Sequence, residues 1–301
     1  MSVFNKVKSG IVTPEEALRQ FESPGKALFS ISPSKTRQSL PVGISSIEAA
    51  QYICADQPNL VIIAARPGFG KSALLFQLAY NVAKTGPVDL YSLEMDESEV
   101  KSRIIAQQAQ MHIDRFKQLP EAEQMRILSV MDVPLYVDAT SGLQLNQLIS
   151  RSKARAKNGG LKAIFVDYLQ IVSTGGDSWG TTTADKIAGV ARALKTLAKD
   201  LQVPVVCAAQ MNRNMDARLS TSKHKPLIRP SMSDISDSAG IEKWADVVMF
   251  LHREYNGDIA NPRDIMVTVS KNRHGPMQDF RLEFRGAESR FLDRGYVEEG
   301  L

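Results

Sequence analysis

Residues 60–75, LVIIAARPGFGKSALL, decide the fold of this chain. The first six residues are a continuous apolar run, which is typical of a β-strand covered on both faces of a parallel sheet. A glycine-containing loop follows, and SALL begins an apolar helix. In a strand, a Gly-Lys-Ser loop and a helix in this order, backbone N–H groups at the helix N-terminus bind phosphate. The stretch therefore predicts a P-loop, with Ala65 in place of the usual first glycine.

The positions of this loop supply different chemical groups. Glycines let the backbone N–H groups close around phosphate oxygens. Lys71 places a compact positive charge on the β- and γ-phosphates, and the Ser72 hydroxyl can bind Mg²⁺. We therefore predict a site for ATP or another NTP with Mg²⁺, formed by eight consecutive residues: Arg66, Pro67, Gly68, Phe69, Gly70, Lys71, Ser72 and Ala73.

Three polar side chains stand at the carboxyl ends of other predicted strands: Glu94 after VDLYSL, Asp167 in KAIFVDYL and Gln210 in VPVVCAAQ. Ligands bind at that end of an open α/β sheet. We predict that Asp167 completes the Mg²⁺ site and that Glu94 is the base that polarises the attacking water. An amide at Gln210 can sense the γ-phosphate through hydrogen bonds. The further acids of residues 96–99 are typical of the first turn of a helix.

The rest of the chain alternates predicted strands with predicted helices. We predict strands at 60–65, 88–93, 133–139, 162–169, 203–210, 245–253, 264–272 and 279–284, and helices at about 97–111 and 184–201. This alternation predicts an α/β fold with a mostly parallel twisted sheet and helices on both faces. The last two strands predict a C-terminal antiparallel hairpin, whose turn is NRHGP.

Residues 1–41 differ in composition from the rest. Residues 13–21, TPEEALRQF, carry the signals of a helix start: a threonine cap, a proline in the first turn and two early acids. A stretch rich in serine, proline and lysine follows and is typical of a linker. We expect an N-terminal arm over 1–41 and one ATPase domain over 42–301.

Composition excludes several classes of protein. The chain has 301 residues, of which 43% are hydrophobic and 23% are charged. It contains no run of about 18 apolar residues, so we expect no membrane span. Cys54 and Cys207 lie in apolar surroundings and are expected to be reduced, as in the cytoplasm. Four irregularly spaced histidines do not predict a zinc site. The net charge of +4 permits a polyanionic partner.

Several strings of the sequence together resemble the C-terminal motor domain of DnaB-type replicative helicases, a superfamily 4 group: ARPGFGKS, YSLEM, FVDYLQ, ARALKTLAKDLQVPVVCAAQMNR, RPSMSDISDSAGIEKWADVVMFLHR and SKNRHGP. The resemblance runs from about Val42 to Phe291. It implies a RecA-like P-loop NTPase core, a hexameric ring, and 5′–3′ movement on single-stranded DNA driven by NTP hydrolysis. It also implies a primase or a helicase loader as partners.

The resemblance assigns roles to residues of this chain. By resemblance Glu94 is the catalytic glutamate, Asp167 the Walker B acid and Gln210 the sensor. Arg103 matches an arginine near the nucleotide, although a solvated helix residue is the alternative.

Lys271 and Arg273 match a lysine and an arginine that reach into the neighbouring subunit's nucleotide site. They alternate along one strand and so point to the same face, where they would stabilise charge on the transferred phosphoryl group. Residues at such hairpin tips are also commonly just solvated.

Two regions depart from the family pattern. The resemblance does not include the helical N-terminal collar, although the family has a helix like that of 13–21, which docks on the adjacent motor domain. In the stretch that matches the DNA-holding loop, Ser236 stands where the family usually has an arginine, and Ala239 stands near a usual glycine. Losing that arginine removes a phosphate contact.

We nevertheless predict DNA contacts from that loop at Ser236, Asp237 and Ala239. A second candidate is segment 212–230, with five basic side chains against one acid: Arg213, Arg218, Lys223, Lys225 and Arg229. Among these, Arg213 and Arg218 are our leading DNA-binding candidates. Trp179 could stack on a base.

Two other classes of function remain open at this point. A RecA-like ATPase could bind DNA or a protein partner without unwinding, as a loader or recombination accessory. A small-molecule kinase would share the P-loop but would not need Lys271 and Arg273 to act in a neighbouring subunit.

Overall fold

The computed structural model describes residues 37–172, 182–212, 229–235, 238–253 and 263–297. The predicted helix at 13–21 lies outside these ranges. Leu40, at the end of the predicted arm, is buried, and its backbone N–H donates to the Ile53 carbonyl at 2.9 Å. The chain therefore joins the folded core by residue 40.

Within those ranges the strands form one sheet of nine: β1 (Leu60–Ala65), β2 (Val88–Ser92), β3 (Leu135–Asp138), β4 (Ala163–Asp167), β5 (Val205–Gln210), β6 (Val247–His252), β7 (Asp264–Asn272), β8 (Phe280–Arg285) and β9 (Arg290–Tyr296). Their order across the sheet is β3-β2-β4-β5-β1-β6-β7-β8-β9. The first six strands are parallel, and β7, β8 and β9 add antiparallel pairs at one side. This confirms the predicted α/β fold with its C-terminal hairpin.

The described helices connect and cover these strands: α1 (Ser45–Ala49), α2 (Lys71–Ala83), α3 (Glu97–Ala109), α4 (Ile113–Lys117), α5 (Glu121–Ser129), α6 (Leu145–Gly159), α7 (Thr183–Leu201) and α8 (Ser238–Trp244). Local sequence explains where two of them begin. Asp96 caps α3 by accepting from the Glu99 N–H at 2.8 Å. Thr182 and Asp185 form a reciprocal capping box at the start of α7.

The core lies on both faces of β1, which is buried along its whole length. Successive side chains of a strand point to opposite faces, so its residues divide between two hydrophobic layers. Val61, Ile63 and Ala65 pack in the layer that contains α2 and part of α3. Leu60, Ile62 and Ala64 pack in the layer that contains α7 and parts of α6 and α8. The layers on the two faces fix β1 at the centre of the domain.

Three observed strands, β3, β5 and β6, begin two residues later than predicted, two of them at a proline. β3 and β5 each begin two residues later than predicted, directly after Pro134 and Pro204. Proline has no N–H to donate to a strand ladder, so it ends the pairing there. We did not predict β9, because its RFLDRGY pattern lacks a clear alternation.

Cys54 and Cys207 are buried and form no disulfide bond. Burial, with the negative charge of Asp167, raises the pKa of Cys207 far above its usual range. No helix in the described part of the chain has both the length and the apolar character to cross a membrane.

We expect Gly240 in α8 to be required for helix packing. A Cβ at this position would overlap the Ala188 side chain and lie 2.5 Å from the Ala188 Cα in α7. Gly240→Ala should therefore lower the free energy of unfolding by about 1–3 kcal/mol, because the two helices must separate. Urea unfolding followed by circular dichroism measures this change.

Gly189 in α7 provides the matched control, because a Cβ there would meet nothing within 4 Å. Gly189→Ala should leave stability unchanged or raise it by up to about 1 kcal/mol. Equal stability of the two variants would contradict the close approach of α7 and α8.

Candidate nucleotide site and nucleic-acid segments

A cavity of about 700 Å³ opens at the carboxyl ends of the central parallel strands. Its lining includes most of the predicted site residues, from four parts of the chain: Ala65, Arg66, Pro67, Gly68, Gly70, Lys71, Ser72 and Ala73; Glu94, Met95, Glu99 and Arg103; Gln210; and Phe284, Gly286 and Ser289. The structure thus brings together residues more than 200 positions apart in the sequence. Phe69 does not line the cavity: it is partly buried and packs against the core, and the guanidinium of the exposed Arg253 lies 5.1 Å from its ring centroid.

The loop needs glycine at two positions for its backbone conformation. Gly68 and Gly70 both have φ of +82°, in the left-handed region that disfavours other residues. Gly70 is also limited by space, since a Cβ there would lie 2.7 Å from the Phe291 ring and 3.1 Å from Phe284. Because α2 begins directly after Gly70, its N-terminal residues form one wall of the cavity. This geometry presents a helix N-terminus to an anion.

Lys71 lines the cavity and contacts the buried Asp167. The Lys71 Nζ is 3.6 Å from Asp167 Oδ1 and 3.8 Å from the centroid of the Tyr168 ring. Asp167 is completely buried, and neither of its carboxylate oxygens accepts a hydrogen bond from a described residue. A buried carboxylate is rarely left in this state, so Asp167 has unused capacity to bind a cation or its water ligands. The Asp167–Tyr168 peptide bond is cis.

Glu94 is close to the same group of residues. Burial raises the pKa of Tyr168, and the nearby negative charges of Glu94 and Asp167 raise it further. Glu94 lines the cavity together with Lys71 and Ser72. Lys71, Ser72 and Glu94 therefore face one space, whereas Asp167 does not line it and reaches it only through Lys71. Their chemical roles remain predictions.

Gln210 is held at the cavity by a neighbouring amide. The Gln170 side chain donates to the Gln210 carbonyl and accepts from the Gln210 N–H, both at 3.1 Å. These bonds tie the end of β5 to the short 3₁₀ turn Leu169–Ile171 after β4 and leave the Gln210 side chain at the cavity wall. The sequence alone does not predict this role of Gln170, because a hydrogen bond between two distant parts of the chain does not affect the spacing of residues along it.

Arg103 also lines the cavity, on the α3 side. Its guanidinium donates to Glu99 Oε1 at 2.8 Å, one helical turn away. Sequence reasoning treated Glu99 only as an acid of the first helical turn, but this side chain orients Arg103 beside the cavity. Whether Arg103 contacts a nucleotide stays a prediction.

The outer wall comes from a part of the chain to which the sequence assigned no role. Phe284 stacks on Phe291 with ring centroids 4.6 Å apart. Gln77 of α2 fixes this pair, since it donates to the Phe291 carbonyl at 2.9 Å and accepts from the Phe291 N–H at 2.7 Å. The β8–β9 hairpin therefore closes the cavity over α2. This wall was missed because β9 was not predicted.

Lys271 and Arg273 lie at the other end of the sheet. Lys271 pairs with Val248, near the start of β6, and donates to the Glu242 carbonyl at the end of α8. The Arg273 guanidinium donates to the Lys243 carbonyl at 2.8 Å. Both side chains thus reach one helix end, as their alternation predicted. A six-residue strand such as β1 spans roughly 20 Å, which separates these cations from the cavity of the same chain.

Most of the predicted DNA contacts lie outside the described residues: Arg213, Arg218, Ser236 and Asp237, the side chain of Ala239, and also Trp179, Lys223 and Lys225. The described ends of these segments lie side by side. Met211 forms a bridge with Ile235, and the Asn212 N–H donates to the Asp234 carbonyl at 2.8 Å. The described residues that directly precede the rest of the basic segment and Ser236 of the second loop are therefore paired with each other.

The far end of the basic segment is attached to the C-terminal hairpin. Arg229 forms an ion pair with Asp279 at 3.3 Å. Asp279 also accepts from the Thr268 hydroxyl at 3.2 Å, and this hydroxyl lies 3.0 Å from Nε2 of His252. His252 is buried at the end of β6. A chain of polar contacts therefore links this basic residue to the interior of the sheet.

The described residues contain no cluster of three or more histidine, cysteine, aspartate or glutamate side chains that could hold a metal ion. A P-loop site does not require such a cluster, because one hydroxyl, one carboxylate, phosphate oxygens and waters complete the shell of Mg²⁺. Ser72 and Asp167 are the residues that could supply the protein's share.

A Gly-Lys-Ser loop at the carboxyl end of a central parallel strand, with a buried acid at the end of β4, defines a P-loop NTPase domain of the RecA-like class. The chain belongs to the family of DnaB-like helicase C-terminal domains, whose model matches residues 40–293. This confirms the resemblance found in the sequence.

Curated relatives have similar sequences over most of this chain. The replicative DNA helicase DnaB of Haemophilus influenzae is 37% identical over 249 residues, which are 78% of this chain and 51% of that protein. The corresponding protein of Geobacillus stearothermophilus is 31% identical over 245 residues, 78% of this chain and 52% of the relative. A probable plasmid replicative DNA helicase of Chlamydia trachomatis is 31% identical over 274 residues, 88% and 57% of the two chains. The chain spans about half the length of these relatives.

Solved structures show the same fold. One of them, an isolated ATPase domain, superposes with a TM-score of 0.74 at 23% identity, covering 95% of this chain and 98% of that one. A DnaB-like replicative helicase, solved in a study of its interactions with primase, gives a TM-score of 0.73 at 23% identity and covers 95% and 66%.

His252 should make the domain sensitive to acid. Burial lowers the pKa of His252 to about 4, from 6.5 in an exposed histidine. Between these values the unfolded chain binds a proton that the folded chain does not, so stability falls as the pH drops from about 6.5 to 4. The full difference is about 3 kcal/mol. Urea unfolding at pH 7.5, 6 and 5 should show a smaller slope for His252→Gln than for the natural chain.

His112, which is more than half exposed, supplies the control. His112→Gln should keep the natural pH dependence even if its overall stability changes. An unchanged slope in His252→Gln would show that other groups cause the loss of stability in acid.

Proposed function

We propose that this chain is the motor of a ring-forming replicative-type DNA helicase, which couples ATP hydrolysis to 5′–3′ translocation on single-stranded DNA and duplex unwinding. The observation that carries the proposal is the division of the candidate catalytic groups between two ends of one sheet. Lys71, Ser72, Glu94 and Gln210 face the cavity and Asp167 lies next to Lys71, whereas Lys271 and Arg273 lie about one strand length away. Such an arrangement fits a site completed by a neighbouring copy.

ATP would bind with its phosphates on the loop of residues 66–73. Lys71 is close enough to Asp167 to bridge it and a phosphate oxygen. Ser72 and Asp167 would hold Mg²⁺, which when bound neutralises charge on the β- and γ-phosphates. The unpartnered oxygens of buried Asp167 support this assignment. Arg103 is at the cavity edge, where it would contact the nucleotide.

Hydrolysis would then depend on groups on opposite sides of the γ-phosphate. Glu94 would accept a hydrogen bond from the attacking water and take its proton as the oxygen attacks. Gln210 would hydrogen-bond the γ-phosphate or this water, so its contacts change when phosphate leaves. Lys271 and Arg273 of an adjacent copy would stabilise the negative charge of the transferred group.

A ring needs surfaces that other copies cover. The structure has no buried residue in α5, and three apolar side chains in this helix or directly after it are exposed: Met125, Leu128 and Val130. We propose that this surface contacts a second copy, which supports a homo-oligomer that is hexameric in the family pattern. The proposed division of the chain is an arm over 1–41 and the motor over 42–301.

Single-stranded DNA would contact the two segments that follow Asn212 and Ile235 in the sequence. Arg213 and Arg218 would bind phosphates, and Ser236, Asp237 and Ala239 would contact the strand from the second loop. Further proposed partners are a primase or a helicase loader, and the proposed location is the cytoplasm. The alternative is a RecA-like ATPase that binds DNA without unwinding it. An assay of strand separation on duplex DNA distinguishes the two, because only the helicase would separate the strands.

Two substitutions separate nucleotide binding from turnover. Lys71→Ala should abolish binding of a fluorescent ATP analogue, because it removes the main positive charge that would contact the phosphates. Glu94→Gln should retain binding but reduce phosphate release by about 10²–10⁴-fold, since the amide cannot accept the water proton. Glu97→Gln is the control, because Glu97 is exposed and pairs with Lys101. Full turnover in Glu94→Gln would remove Glu94 from the role of base.

The requirement for a second copy predicts a concentration dependence. ATP hydrolysis per subunit should rise steeply with protein concentration and should increase when single-stranded DNA is added. Deleting residues 1–36, which leaves Leu40 in the core, should shift this rise to higher concentration if the arm holds copies together. The oligomeric state can be followed by light scattering. Turnover that is independent of concentration and DNA would favour a self-contained kinase or ATPase.

A further inference from the structure

Asp246 is a buried carboxylate at the start of β6, and its position is fixed by the core of the sheet. Only 2% of the residue is exposed. Its Oδ2 atom accepts from the Leu60 N–H at 2.8 Å and from the Lys195 Nζ of α7 at 2.6 Å. Because Leu60 begins the central strand and α7 covers it, the carboxylate cannot move independently of the domain.

Arg273 is held on this carboxylate and on the end of α8. Its backbone N–H donates to the Asp246 carbonyl at 3.0 Å, so the start of the hairpin turn is fixed. One terminal nitrogen of the guanidinium lies 3.6 Å from Asp246 Oδ1, and the other donates to the Lys243 carbonyl at 2.8 Å. The side chain nevertheless remains 46% exposed. It is therefore restrained where it meets the domain and accessible on the remaining side.

The charges around Asp246 leave a positive group at the surface. A carboxylate paired with Arg273 alone would cancel much of the charge that the guanidinium presents. Lys195 shares this carboxylate and also donates to the Pro58 carbonyl at 2.8 Å. The side chain of Lys195 is only 11% exposed, so of the two cations Arg273 is the one that a partner can reach. Lys195, Arg273 and the Asp246 carboxylate together leave a single positive charge, displayed at Arg273. The nearby Lys271 ammonium, whose charge interacts with both Asp246 and Arg273, adds to the positive charge at this surface.

We propose that Asp246 is a positioning residue, which holds the Arg273 guanidinium at a fixed place for the nucleotide site of the adjacent copy. Because Lys195 shares the Asp246 carboxylate, this contact does not cancel the positive charge of Arg273. This inference rests on the proposed function of Arg273. An unrestrained arginine side chain samples many rotamers, and it loses this conformational freedom when it is ordered in the transition state. A guanidinium that is already fixed to the sheet needs less reordering. Asp246 would thus raise the rate of the chemical step without contacting the nucleotide.

The test uses the full chain with saturating single-stranded DNA, above the concentration at which the oligomer forms. Asp246→Asn keeps the shape of the side chain and one acceptor but removes its charge. It should reduce kcat for ATP hydrolysis by about 10–100-fold, because misplacing a reacting group has an effect of this size, and leave KM within about twofold. Asp200→Asn is the matched control, since Asp200 forms an exposed ion pair with Lys153; it should leave both constants unchanged.

A double-mutant cycle with Arg273→Ala identifies the pathway of the effect. If Asp246 acts through Arg273, then the double variant should be no slower than Arg273→Ala alone, whose residual rate is measured with radiolabelled ATP. An equal loss from Asp246→Asn with and without Arg273 would overturn the inference, as would an unchanged kcat in the single variant. Full turnover in Arg273→Ala would instead contradict the proposed function itself.

Folding and assembly are checked by melting temperature and light scattering. If Asp246→Asn fails to fold or assemble, Lys195→Gln replaces it in the same cycle. This variant leaves the Asp246 carboxylate with Arg273 as its only cationic partner among the contacts described, so kcat should again fall only when Arg273 is present. A loss that persists without Arg273 overturns the inference in this form as well.

Discussion

The double-sided burial of β1 is the constraint on which the rest of the structure depends. Six consecutive residues of this strand are buried between two hydrophobic layers. Parallel neighbours pair with it on both sides, so its two ends have fixed positions relative to the whole sheet. The loop that begins at Arg66 and the carboxylate of Asp246 at Leu60 are both attached to these ends. The hydrophobic core thereby sets the distance between the two groups of polar residues.

This arrangement explains why one domain can carry chemically complementary surfaces. The anion-binding loop and the strand-end acids require the carboxyl ends of parallel strands, where helix N-termini also gather. Cations that would neutralise those acids if they were nearby are kept at the opposite end. Asp167 remains a strong candidate for a metal ligand because the only protein cation that approaches it is Lys71 among the contacts in the described residues. Because these acids and cations lie at opposite ends of one sheet, a site that needs both would have to combine two copies of the chain.

Sequence was sufficient for the parts of the fold that depend on local patterns. Apolar runs located the parallel strands, and the bounds of β7 agree with the predicted 264–272. The loop of residues 66–73 and the strand-end residues Glu94 and Gln210 could be placed at the cavity, because strand direction alone determines which ends meet. The predicted starts of β3, β5 and β6 were two residues too early. At β3 and β5 the cause is a proline, whose missing N–H leaves no trace in an apolar pattern.

The missed features are those that depend on distant partners. Gln170 acts through the backbone of Gln210, and Glu99 acts by orienting Arg103. The aromatic wall of Phe284 and Phe291 requires a strand, β9, that has no clear pattern of its own. Asp246 is one acid among 33 acidic residues until folding brings Leu60, Lys195 and Arg273 around it. Such roles arise from tertiary contacts and leave no periodic signal.

The bonds between Gln77 and Phe291 join residues that are 214 positions apart. Contacts of such long sequence separation form late and slow the folding of a domain, because a large loop must close first. During synthesis, the phosphate-binding loop emerges long before the strand that completes its cavity. A nascent chain therefore carries the loop without its aromatic wall until about residue 291 has left the ribosome. The candidate nucleotide cavity is consequently one of the last features of this domain to be completed during translation.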